Sequence, residues 1–186
     1  MSSTLSEIMT STLKNEENYK KLMNILSKII GDTVEKSVKY EQKLLKLEGN
    51  KNESKISFNS KEIPKITITN YIKRLIKYTK IEPSTLILGI IYFDRICSQG
   101  NIILSFFNVY KLLLISFILA IKYNEEYFET NEFYAKNGGL NIKSINKLEV
   151  KVLKIINFNL YVNQDIYDNY VNQFDAFIQK KTNFLL

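Results

Sequence analysis

Apolar residues recur at helical spacing along most of the chain, and nowhere does the alternation of a strand or an Asn-Gly hairpin signal appear. Tyr19, Leu22, Ile25, Leu26, Ile29 and Ile30 form a first stripe, which Gly31 is expected to end. Asp32 reads as the N-cap of a second helix, with Glu35 in the capping-box position and Val34, Val38 and Leu45 on one face. Residues 1–47 therefore read as a helical arm. Residues 48–62 turn polar, through Glu48-Gly49-Asn50-Lys51-Asn52-Glu53-Ser54-Lys55, and read as a flexible linker.

A helical body follows over 63–162, entered at Pro64. Thr67 or Thr69 caps a helix with Ile68, Ile72, Leu75, Ile76 and Thr79 inward, while Arg74 and Lys77 fall on the solvated side. Pro83 and Ser84 open a second helix, apolar nearly all round, that runs to about Ser98 before Gly100-Asn101 breaks it. The third, from about Asn108 to Asn124, is the most uniformly apolar and is expected at the centre, with Ala120 allowing a close neighbour. A short helix from Asn131 to Lys136 ends at Gly138-Gly139. A fifth spans roughly Lys143 to Asn157, with Ile145, Leu148, Val152, Ile155 and Ile156 inward. Residues 163–186 add a helix over Gln164 to Gln179 and a tail. The expected fold is all-α: five helices, one of them central, with extra N- and C-terminal helices.

Composition narrows the chemistry. At 186 residues, 45% hydrophobic and 24% charged, the chain has the make-up of one globular domain with an appendage. The longest apolar run, Leu112 to Ile121, is interrupted by Ser116 and flanked by Lys111 and Lys122, so it reads as a buried helix and no membrane association is expected. The first residues are polar with no apolar run, so export is not expected, and a single cysteine, Cys97, permits neither an internal disulfide nor a cysteine-built zinc site. An intracellular protein of the cytoplasm or nucleus is expected. With no histidine and no phosphate-binding glycine loop, neither catalysis nor a metal or cofactor is expected. The net charge of +7 is spread over dispersed lysines, which suits a solvated surface that steers acidic partners rather than a nucleic-acid interface.

Three charged residues sit where apolar ones are expected. Glu149 lies inside the inward arc of the fifth helix, so it belongs either to the rim, paired with a lysine, or to the edge of an interface. Lys122 ends the central helix, where the macrodipole favours a cation able to snorkel out of the core. Asp94, in a helix apolar on every side, calls for an internal salt bridge or a helix to cap.

Three blocks carry a family resemblance. Tyr71-Ile72-Lys73-Arg74-Leu75 runs on to Tyr92-Phe93-Asp94-Arg95; Asn108-Val109-Tyr110-Lys111-Leu112-Leu113-Leu114 runs on to Ala120-Ile121-Lys122-Tyr123; Tyr134-Ala135-Lys136-Asn137-Gly138-Gly139 precedes Leu148-Glu149. In that order and spacing they resemble the single cyclin box of the PHO-type (P- or U-type) cyclins, over roughly 110 of the 186 residues and excluding the arm before Ser57. Asn124-Glu125-Glu126 replaces a Leu-Asp-Asp, and Asn108-Val109-Tyr110-Lys111 stands where Asn-Val-His-Arg is usual. The resemblance implies a non-enzymatic regulatory subunit that binds a cyclin-dependent protein kinase and makes it competent, with kinase substrates or inhibitors as further partners. It implies that Lys122 and Glu149 contact the C-helix region of the kinase. It also implies that Asp94 pairs with a basic residue at the start of the first helix. Counting without gaps gives Lys65, while Arg74 lies further on and faces outward, so that partner stays open. Glu125 and Glu126, in an acidic run with Glu129 and Glu132, are either a contact for the kinase activation segment or a solvated loop. The rival readings are a cyclin-fold adaptor without kinase activation and a basic nucleic-acid-binding module.

Overall fold

A computed structural model gives the fold, describing residues 16–48 and 58–182. Among these it is all-helical, as expected: α1 Glu16–Glu48, α2 Ile68–Thr79, α3 Pro83–Gln99, α4 Val109–Asn124, α5 Asn131–Gly138, α6 Ile142–Ile155 and α7 Gln164–Thr182.

The central helix is α4. From Val109 to Ile121 every residue except Lys111 is buried, and α2, α3, α5 and α6 all pack on it. The α3 contact is the closest, because Gly89 has no side chain: a Cβ there would meet Phe117 Cδ1 at 2.6 Å. Ser116, the one polar residue that interrupts the apolar run, donates its hydroxyl to the Leu112 carbonyl 2.7 Å away and so leaves no bare donor in the core.

The helix ends follow from local chemistry. Thr67 rather than Thr69 caps α2, its hydroxyl accepting the Asn70 N–H. Pro83 opens α3, Thr130 caps α5, and the Asn141 side chain accepts from Ser144 N–H at the start of α6. Gly139 closes α5 in the left-handed region at φ 74°, where a side chain would be strained. The fifth box helix stops at Ile155, two residues earlier than expected, because Asn157 and Phe158 both turn to positive φ, 51° and 56°.

Two expectations for the N-terminal region are corrected. The helix does not end at Gly31: α1 runs unbroken for 33 residues. Leu22, Met23, Leu26, Ile30 and Val34 form one stripe across the glycine and join the main core, where α1 packs on α2 and α7. Burying that stripe outweighs the propensity cost of one interior glycine, about 1 kcal/mol. Nor is the whole of 48–62 a free linker. Glu48 belongs to α1, Phe58 is buried, and Ser60 N–H donates to the Phe107 carbonyl at 2.8 Å. Residues 49–57, like 1–15 of the arm and 183–186 of the tail, lie outside the described residues.

Several residues of the recognised blocks hold loops by side chain-to-backbone bonds. Tyr92 donates to Leu160 O at 2.6 Å, and Arg95 donates to Asn159 O and Tyr161 O at 2.6 and 3.1 Å, fixing the connection from α6 to α7. Tyr110 donates to Ile66 O and Tyr71 to Gly138 O, tying the entry segment and the α5 turn to the body.

Candidate functional site

Lys122 stands in the last turn of α4 and Glu149 midway along α6, and the crossing of the two helices brings them together. Lys122 Nζ and Glu149 Oε1 lie 2.6 Å apart, with side chains 24% and 18% exposed. The second carboxylate oxygen, Oε2, accepts from Asn131 Nδ2 at 2.9 Å, and that same amide donates to Asn146 Oδ1 at 2.8 Å. Helices α4, α5 and α6 thus each contribute to one polar cluster on an otherwise apolar frame. The rim lysine that Glu149 required is Lys122 itself. Lys122 retains two N–H donors beyond this bond, and Glu149 retains lone pairs, so the pair offers donor and acceptor side by side at the surface.

The same helices and the loops next to them carry exposed apolar groups. Val150 follows Glu149 on α6 and is half exposed; Tyr123 follows Lys122 and is 52% exposed. The loop from α4 to α5 turns Tyr127 and Phe128 outward, and Phe158 projects beyond α6. Exposed apolar side chains of this kind can add area to a contact with a partner. Sequence reasoning overlooked these aromatics, although two adjacent ones inside an acidic run were a usable signal. It also passed over Asn131 and Asn146, whose type says only helix start and helix surface.

The other expected site residues separate. Asp94 does not pair with Lys65. Its carboxylate accepts the hydroxyl of Tyr170 on α7 at 2.8 Å, while Lys65 lies exposed in the segment before α2. Burial raises the Asp94 carboxyl above its ordinary pKa, and the Tyr170 bond partly offsets that. Glu125 turns inward and accepts the Glu82 N–H at 3.0 Å, so it serves the N-terminus of α3, which lacks a side-chain cap of its own. Glu126 is exposed. Tyr134, next to the cluster, accepts from the Glu129 N–H, and its own pKa is raised chiefly by burial. Among the described residues no group of side chains suits a metal ion, and no helix is long and apolar enough to cross a membrane.

The comparisons with known proteins agree with this architecture. The cyclin family profile matches residues 16–160. Cyclin-U2-2 of Arabidopsis thaliana is 31% identical over 166 residues, taking in 89% of this chain and 72% of that protein. Cyclin-P3-1 of Oryza sativa subsp. japonica is 28% identical across 90% of this chain and 69% of its own length. The PHO85 cyclin-like protein psl1 of Schizosaccharomyces pombe is 32% identical over a shorter stretch, 56% of this chain and 44% of that protein. The chain belongs to the cyclin family. Its relatives of the U and P types and the PHO85 cyclin-like protein place it with the PHO-type members.

Proposed function

We propose that the chain binds and activates a cyclin-dependent serine/threonine protein kinase by docking on its C helix. The observation that supports this reading best is the Lys122–Glu149 pair, a partly buried acid–base pair whose side chains are still 24% and 18% exposed. An exposed ion pair contributes only about 0–1 kcal/mol to a fold, so stability alone gives a weak reason for placing two charges on apolar helix faces. A partner with polar backbone or side-chain groups engages both members at once, and exposed apolar groups of α6 and the α4–α5 loop supply the apolar area. A rigid wedge of this kind swings the C helix inward, so that the kinase's own glutamate meets its ATP-positioning lysine and completes the phosphoryl-transfer site.

Truncating one member of a charge pair desolvated in an interface costs about 2–5 kcal/mol, which is roughly thirty- to several-thousand-fold in affinity. Lys122→Ala and Glu149→Ala are therefore expected to keep the fold, by circular dichroism, and to lose the kinase, by calorimetric titration against each cyclin-dependent kinase of the source organism. A double variant that binds one of those kinases as tightly as the wild type would contradict the reading.

A further inference from the structure

Away from the Lys122–Glu149 surface, a cavity of about 430 Å³ gathers charge of one dominant sign. Three cations from three different elements line it: Lys61 from the entry segment, Arg74 from α2 and Lys111 from the first turn of α4. Glu62 is the acidic residue of the lining, so three positive charges face one negative. Among the described residues, neither Arg74 nor Lys61 pairs with a carboxylate.

The walls are firmly built. The rings of Tyr71 and Tyr110 meet edge to face with centroids 5.1 Å apart, and both hydroxyls are spent on backbone carbonyls, at Gly138 and Ile66. Lys111 Nζ donates to Asn59 O at 2.9 Å, which holds its ammonium in place and leaves two donors. The opposite wall is the Gly138-Gly139 turn of the Tyr-Ala-Lys-Asn-Gly-Gly block, which the kinase surface does not use. Gly138 seats this turn against the body so closely that a Cβ there would meet Leu114 Cδ2 at 2.2 Å. Burial, and then the neighbouring Lys151, lower the pKa of Lys111, so a bound anion relieves an existing cost.

We propose that this cavity is a docking site for a phosphorylated serine or threonine within a linear peptide segment. A phosphate ester carries roughly −1.5 to −2 charges and three strong acceptor oxygens, which matches the excess of positive charge in the lining and its three cationic side chains. Pro64, Ile66 and Leu140 in the same cavity give an apolar neighbour of the phosphorylated residue a place to pack. The proposal stands apart from the kinase reading, because no residue of that surface lines this cavity.

The test uses the full chain and a pool of fluorescein-labelled twelve-residue peptides, degenerate around one central phosphoserine or phosphothreonine, read by fluorescence anisotropy. Binding is expected for a subset of the pool, with the dephosphorylated forms at least about tenfold weaker. Lys61→Gln combined with Arg74→Gln alters two exposed side chains and should weaken phosphopeptide binding by about tenfold or more at a nearly unchanged thermal midpoint. Lys111→Gln should weaken it likewise. Absence of binding across the pool, equal binding of dephosphorylated peptides, equal binding of glutamate-substituted peptides, or wild-type affinity in the double variant would each overturn the proposal.

Discussion

Lys122 and Glu149 illustrate what single positions reveal. Each is a charge on an apolar face, and that misfit was readable from periodicity alone; their meeting at 2.6 Å depended on how α4 and α6 cross. Asp94 is the contrary case. Its misfit was equally legible, yet its partner Tyr170 lies 76 residues away on a helix whose packing no local pattern discloses. The environment of Asp94 has a consequence for pH. Burial raises its carboxyl above the ordinary 3.8, so the folded state holds that proton more tightly than the unfolded chain. Its contribution is therefore most favourable below the unfolded pKa and declines as pH rises through that value toward the folded one, remaining low at neutrality. Asp94→Asn keeps an oxygen for the Tyr170 hydroxyl and removes a charge that is partly desolvated although the residue still reaches the surface. Calorimetry should find the variant's thermal midpoint above the wild type near pH 7, with the difference closing toward about pH 3. A variant less stable than wild type near neutrality would mean that the charge itself stabilises the fold.

Among the elements, caps and breakers were reliable where backbone geometry depends on them and misleading where packing decides. Thr67, Pro83 and Gly139 mark real helix ends. Gly31 followed by Asp32 carried the same local signature and marks none, because the stripe from Leu22 to Val34 is buried as one surface. The early end of α6 was illegible for the opposite reason: Asn157 and Phe158 take up left-handed backbone with no glycine to announce it. Continuity of α1 makes a sharp prediction. Nothing lies within 4 Å of a Cβ built on Gly31. Gly31→Ala should thus stabilise by about 0.5–1 kcal/mol, raising the thermal midpoint by roughly 1–4 °C. A lowered midpoint would place a break or a turn at that glycine.

Among the described residues one continuous core is buried, and α1 contributes to it through Leu22, Met23, Leu26, Ile30 and Val34, so that helix packs as part of the body. The family profile agrees, starting at residue 16, although the recognisable blocks begin only at Tyr71. The arm was legible as helix but not as part of the box, since α1 carries periodicity and no motif. Two parts of the outer surface carry the proposals: the acid–base pair of α4 and α6 for the kinase, and the basic cavity beside α2 and the α5 turn for a phosphorylated segment. The measurement that tests kinase activation most directly mixes the purified chain with each cyclin-dependent kinase of the source organism and follows phosphorylation of a generic substrate, wild type beside Glu149→Ala. One kinase should be activated by the wild type, and the variant should lose most of that effect. Failure to activate any of them, or activation that Glu149→Ala leaves intact, would contradict the proposed function.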